Sequence, residues 1–197
     1  MTVRRVVYEA QGWGEGELWF DGPKLVWHEL PRPVAKASAA TRTGPKRARS
    51  ERAHPHPGGG NTHHPLRSTI AAKRVRMGNE PVPSVQRLVH AVQRFFAGER
   101  VDFGDAELDL DGYTAFQVEL VRVLRAVPYG EVVSYGELAR AAGHANAQRA
   151  AGTFCAQNRF PLVVPCHRVV AANGIGAYGT LGIEYKRRLL ELEGVSL

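Results

Sequence analysis

Cysteine is scarce in this chain of 197 residues, which holds only Cys155 and Cys166. Two thiols cannot staple a fold of this length, so a disulfide framework is excluded and a reducing, cytoplasmic setting is expected. Long apolar runs are missing as well. The stretch Phe160–Pro165 is typical of those present, far short of the ~20 residues that cross a bilayer. The opening MTVRRVVYEAQGWGEGE lacks the apolar centre of a secretory signal. Acidic residues are in deficit, 19 against 26 Lys and Arg, for a net charge of +7. What is present is enough to fold: 44% of the residues are hydrophobic, which excludes wholesale disorder and fits one sizeable domain or two small ones.

The positive charge points to nucleic acid only if it lies in the right place. Residues 1–30 carry net −2, residues 31–78 net +10, residues 79–110 net −3 and residues 111–197 net +2. The whole excess therefore sits in one stretch rich in Pro, Ala, Ser, Thr, Arg and His, with a Gly triplet at 58–60. Large apolar residues almost vanish between Pro31 and Ser68, so nothing there offsets the entropy of ordering. We read 31–68 as a disordered basic insertion, with AAKRVRM at 71–77 regaining some order. It is a salt-sensitive tether to DNA at most.

Around it the chain is patterned. RRVVYEA, GELWFDG and PKLVWHEL, within 4–30, are β-prone runs separated by turn residues. Val85, Leu88, Val89, Val92, Phe95 and Phe96 recur at helical spacing, with Ser84 as the expected N-cap and Gly98 near the end. An acidic loop at 101–112 precedes a second helix, whose face carries Phe116, Leu120, Val123, Leu124 and Val127. Ser134 and Glu137 make a capping box for YGELARAAG. Gly143 stops that helix, and NAQRAAGTFCAQN forms the next. The pair is a helix-turn-helix candidate, a weak signal taken alone because most such pairs merely pack. FPLVVP reads as a buried strand leading to Cys166, and a Gly-rich loop and the helical run IEYKRRLLELEG close the chain. No internal repeat is found.

Cys166 is the outstanding chemical candidate. It follows a proline and precedes His167 and Arg168, which supply a base and a cation to favour the thiolate. Adjacent side chains of an extended segment point to opposite faces, so the spacing calls for a water between Cys166 and His167. The alternative is a buried cysteine that packs as a small hydrophobe, the commoner fate of an arbitrary Cys-His pair. Cys155, inside a helix, reads as packing. His54, His56, His63 and His64 lie in the basic stretch and read as solvated rather than as metal ligands. Trp13, Trp19 and Trp27 read as core or turn packing.

With these residues together, PCHRVV after a helix-turn-helix with a central arginine, and before a Gly/Tyr loop and LLELEG, resembles the O6-alkylguanine-DNA alkyltransferases. The resemblance is dense from Tyr113 to Gly194, looser over 84–112 and architectural over 1–30. Fourteen residues from Tyr135 to Arg149 and eight from Asn158 to Cys166 match the family pattern. It implies an α/β (α+β) protein: a small N-terminal β-sheet and helix domain at 1–110, then a mostly helical, winged helix-turn-helix alkyltransferase domain at 111–197.

The resemblance further implies direct-reversal repair of double-stranded DNA containing O6-alkylguanine, and leaves O4-alkylthymine open as a second substrate. The protein would act as a monomer, without cofactor, metal or membrane, in the cytoplasm or on a nucleoid. Cys166 would accept the alkyl group irreversibly, His167 would act as base through a water, and Glu193 would orient His167. Asn158 would hold the active-site loop. Arg149 would enter the base stack, and Tyr135 would press on a phosphate and help protonate the departing guanine. The small Ala147, Ala150, Ala151 and Gly152 would let the helix approach a minor groove, with Gln148 also binding DNA there. Pro161, Val164, Tyr178, Gly179 and Thr180 would line the guanine pocket. Two departures stand out: Arg159 where many relatives have proline, and a loop between Gly174 and Tyr178 one residue short. Two rival readings remain, a lesion-binding relative that does no chemistry and a plain helix-turn-helix protein.

Overall fold

A computed structural model describes residues 2–33 and 82–197. The first segment is an antiparallel meander of β1 (Val3–Ala10), β2 (Gly14–Asp21) and β3 (Lys24–Arg32), in the order β1-β2-β3. Strand alternation puts Tyr8 and Ala10, Leu18 and Phe20, and His28 and Leu30 on one buried face. Strand β3 runs through Pro31 and Arg32, into the expected basic insertion, because Arg32 still pairs with Glu15 of β2; Tyr185 also donates a hydrogen bond to Pro31 O at 2.9 Å. The remainder of the insertion, the 71–77 run and His54, His56, His63 and His64 lie outside the described residues.

Helix α1 (Pro83–Phe96) covers the sheet with Val85, Leu88, Val92, Phe95 and Phe96. Its N-cap is Val82, without a side-chain cap, and not Ser84. Pro83 explains the difference: its fixed φ and missing N–H suit the first helical position, which pushes Ser84 inside the helix. At the other end Gly98, at φ +86°, closes a Schellman turn with Glu99 N–H donating to Arg94 O at 3.1 Å. The acidic loop then reaches back to the sheet. Leu25 N–H donates to Glu107 O at 2.8 Å and Asp109 N–H to Leu25 O at 2.9 Å, which protects part of the β3 edge.

Helix α2 (Ala115–Ala126) begins at a Thr114–Gln117 capping box and buries Leu120, Val121 and Leu124. Val133 and Ser134 form β4, and the expected Ser134–Glu137 capping box starts α3 (Tyr135–Ala141). Helix α4 (Gln148–Ala156) packs against α3, completing the helix-turn-helix pair. Beyond it the expected strand is absent: 160–165 is a run of turns. Its burial comes from being enclosed, not from a ladder. Pro161 and Pro165 have no N–H to offer one, Val164 N–H bonds back to Phe160 O at 2.7 Å, and Leu162 takes φ +71°. Cys166–Arg168 is a single 3-10 turn leading into β5 (Val169–Val170), which pairs in parallel with β4. A second 3-10 turn at Gly179–Leu181 leads into α5 (Gly182–Leu192).

One hydrophobic cluster runs from Tyr8, Phe20 and Phe95 through Leu120, Leu138 and Phe154 to Phe160, Val164 and Leu189. Each such side chain, fully buried, contributes about 1.5–3 kcal/mol. The Cys166 turn rests on this floor. Among the described residues, no helix is long and apolar enough to cross a membrane.

Candidate active site

The 3-10 turn changes the geometry expected of Cys166 and His167. Their side chains leave a tight turn rather than an extended strand, and both are buried. Asn158, on the turn after α4, ties the segment together. Its Nδ2 donates to Val164 O at 2.7 Å and to Cys166 Sγ at 3.1 Å, and its Oδ1 accepts from Phe160 N–H at 3.0 Å. The Tyr178 hydroxyl is buried facing the thiol, without a hydrogen bond of normal geometry among the described residues. Burial pushes the Cys166 thiol up, and Asn158, Tyr178 and the Lys186 ammonium pull it back in part. The resting group is therefore the neutral thiol.

His167 Nε2 lies 2.9 Å from Glu193 Oε1. Desolvation lowers the imidazole, against the raising effect of Glu193, so the ring is neutral and Nε2–H donates to the carboxylate. That leaves Nδ1, buried and without a hydrogen-bond partner among the described residues, as the basic lone pair. Burial opposes the ionisation of Glu193, but the hydrogen bonds from His167 and Arg168, with the Arg168 charge, win and hold it at about 2. Arg168 grips Glu193 with a fork, Nε to Oε2 and Nη2 to Oε1, both at 2.9 Å, and donates Nη1 to Val127 O at 2.7 Å. Gly130 N–H adds a further bond to Oε2 at 3.1 Å.

Arg168 therefore does not serve as the cation beside the thiol, the role its position next to Cys166 suggested. That role falls to Lys186, which sequence reasoning passed over. Lys186 is fully buried on α5 and donates to Val169 O at 2.5 Å and Ile175 O at 2.6 Å. It staples the Cys166 turn to the Gly-rich loop while its charge acts on the thiol.

Tyr135, at the start of α3, sends its ring between Gly152 of α4 and Gly176 of the loop. A β-carbon at Gly176 would meet Ala171 N at 3.3 Å and Tyr135 Cε2 at 3.6 Å, so glycine keeps that passage open. Gln148, Arg149 and Ala150 are exposed on α4, Ala147 is half-buried at its N-cap, and Ala151 is buried against the core. Pro161 is half-buried and Val164 fully buried, whereas Gly179 and Thr180 are exposed. The Thr180 hydroxyl accepts from Arg32 at 3.3 Å. A cavity of about 450 Å³ opens behind the turn, lined by Arg100, Asp102, Arg125, Tyr129, Leu162 and Pro165 among others. None of the residues expected to hold guanine lines it.

Residues 115–195 match the family model of the 6-O-methylguanine DNA methyltransferase DNA-binding domain. A methylated-DNA–protein-cysteine methyltransferase of Methanopyrus kandleri is 41% identical over 111 residues, which cover 56% of this chain and 82% of that protein. The chain belongs to this methyltransferase family. It is thereby a DNA-repair enzyme that moves an alkyl group from DNA to protein cysteine. The crystal structure of the Mycobacterium tuberculosis O6-methylguanine methyltransferase superposes with a TM-score of 0.66 at 29% identity, covering 98% of this chain and 93% of that one. The same organism's enzyme in complex with DNA gives 0.61 at 30% identity, covering 98% and 92%.

Two further supports join distant parts of the chain. Arg159, the departure from the family pattern, is buried with its guanidinium 4.6 Å from the Tyr113 ring centroid, and it donates to Asp109 O at 2.7 Å. His28 reaches the turn before Cys166 from β3, 133 residues away in sequence. Trp13, by contrast, is core packing as expected, against Phe96 and Tyr185 with Arg188 over its face.

Proposed function

We propose that Cys166 accepts the alkyl group of O6-alkylguanine in double-stranded DNA, once and irreversibly. The observation that carries this reading is the thiol held at 3.1 Å by Asn158 next to a neutral His167 backed by Glu193 and Arg168. Alkyl carbon on an aryl-type oxygen is a poor electrophile, so the reaction needs a full thiolate and a protonated leaving group. His167 Nδ1 takes the thiol proton through one water. Sγ then bonds to the alkyl carbon, the carbon–O6 bond breaks, and its electron pair stays with guanine, which collects a proton with Tyr135's help. The thioether has no hydrolytic exit, so each molecule acts once.

The target carbon is out of reach inside a duplex, so the nucleotide must be flipped at a cost of a few kcal/mol. The exposed Gln148, Arg149 and Ala150 of α4 face the minor groove, with Arg149 filling the gap. Pro161, Val164, Tyr178, Gly179 and Thr180 enclose the base. Residues 111–197 carry the chemistry and the DNA contacts as one part, and residues 1–110 form a second part supporting it. The protein acts as a monomer in the cytoplasm or on a nucleoid.

The test is to incubate the protein with a duplex containing O6-methylguanine and weigh the Cys166 peptide. A gain of one methyl group, at one equivalent per protein, is expected. An unmodified Cys166 with intact DNA binding overturns the reading and leaves a lesion-binding or plain helix-turn-helix protein.

A further inference from the structure

The turn that carries Cys166 is pinned from the N-terminal sheet by a chain of three residues. His28 is buried on β3 and uses both ring nitrogens: Nδ1 lies 2.6 Å from Pro161 O, and Nε2 lies 2.7 Å from the Tyr8 hydroxyl. Its backbone N–H donates to Arg159 O at 2.8 Å, so main chain and side chain grip the same turn. A carbonyl only accepts, so Nδ1 carries the proton. Desolvation brings the imidazole down to about 4, so Nε2 is a bare acceptor at neutral pH and the Tyr8 hydroxyl donates to it. Burial pushes that phenol well above its usual range, which keeps its proton in place. Room for the phenol end is built in, since a β-carbon at Gly16 would lie 2.4 Å from the Tyr8 hydroxyl.

The atom that His28 holds is well chosen. Pro161 O belongs to the peptide that joins Pro161 to Leu162, and Leu162 sits at φ +71°. A leucine pays for that region of backbone space, and it persists only where surrounding contacts over-determine it. Holding the Pro161 carbonyl fixes the peptide plane on which this φ depends. Two residues further on, Val164 O receives the Asn158 amide that also binds Cys166 Sγ. If the plane rotates, Val164 moves, and the amide can no longer serve both partners.

We propose that His28, oriented by Tyr8, is a positioning residue for alkyl transfer, acting through the Pro161–Leu162 peptide on the Asn158–Cys166 contact. The inference rests on the function proposed above, and wild-type protein separates the two. If wild type takes no methyl group from a duplex containing O6-methylguanine, the function fails; the proposal concerns only a difference between variants of a reactive protein.

The experiment measures the rate of Cys166 benzylation by free O6-benzylguanine across pH for wild type, His28→Ala, His28→Asn and Tyr8→Phe, each checked for its thermal midpoint. An asparagine amide can take over the Nδ1 donor position. We expect His28→Ala to react about tenfold or more slowly, with its pH profile displaced to the alkaline side as Asn158 loses its hold on the thiolate. His28→Asn should recover most of the rate and the wild-type profile, and Tyr8→Phe should fall between. A His28→Ala protein that folds and matches wild type in rate and profile overturns the proposal, as does His28→Asn reacting no faster than His28→Ala. If His28→Ala does not fold, the comparison of His28→Asn with His28→Gln decides. Gln presents its amide at the Nε2 position, so equal rates for the two refute a role for the Pro161 contact.

Discussion

Replacing Glu193 by glutamine tests the buried charge cluster next to the Cys166 turn, and the structure sets the size of the effect. The carboxylate is buried and accepts from His167, from both arms of the Arg168 fork and from Gly130 N–H. Glutamine keeps the shape but removes the charge, leaving Arg168 a buried cation bonded to Val127 O and to an amide. Breaking a buried pair from one side costs about 3–5 kcal/mol. A second route gives a similar figure. Glu193 ionises at about 2 in the folded protein against 4.5 ordinarily, and that difference is worth about 3 kcal/mol of stability at neutral pH. The sign follows from the depressed value: the contribution is complete above the unfolded pKa and is lost as pH falls from about 4.5 towards 2. Glu193→Gln should therefore lower the thermal midpoint at pH 7 by roughly 6–20 °C, taking about 2–4 °C per kcal/mol for a chain of this size. The loss should shrink as both proteins are acidified through that window. Circular dichroism melts at pH 7, 5, 4 and 3 read it directly. A midpoint within about 2 °C of wild type at pH 7, or a difference constant across the series, would refute the claim that this carboxylate is held ionised by its two partners.

Two further outcomes follow from the same geometry. Arg149 is exposed on α4 and touches none of the groups around Cys166, so Arg149→Ala should slow repair of duplex DNA by an order of magnitude or more. Its reaction with free O6-benzylguanine should stay within about twofold of wild type; equal losses in the two assays would mean that Arg149 does not fill the stack. Burial raises the Cys166 thiol, so its alkylation by free O6-benzylguanine should quicken as pH rises through the neutral and alkaline range. Lys186→Met should move that profile further to the alkaline side, and stopped-time mass spectrometry of the Cys166 peptide would detect a profile that is flat or unmoved.

What could be read from the chain divides by the range of the interaction. Capping boxes at Thr114–Gln117 and Ser134–Glu137 are chemistry between residues three apart, so the Ser134 box and its helix were visible in the sequence. Ser84 is not a cap by the same local logic, because Pro83 after Val82 takes the first helical position and draws Ser84 inside the helix. FPLVVP failed for a different reason. An apolar run states that a segment is enclosed but not whether its N–H groups meet a ladder, and here Pro161 and Pro165 were the overlooked sign that they do not. No residue near Leu162 announces its left-handed backbone; that is imposed from β3 by His28. Cys166, His167, Asn158 and Glu193, which the fold brings together, could be singled out because their spacing follows a family motif, whereas Lys186, Arg159 and His28 act across distances that no local pattern encodes.

The charge distribution carries the same distinction into function. The net +7 lies almost wholly in residues 31–78, yet the charges that act on the thiol are few and local. Lys186 lies close enough to favour the thiolate, while Arg168 is spent on Glu193 and fixes the His167 tautomer instead. Both cations are buried, so salt screens them far less than it screens an exposed basic tract. Reaction with a small free substrate should accordingly be insensitive to ionic strength even where duplex binding is not, because the buried cations near Cys166 and the basic stretch at 31–78 are different residues.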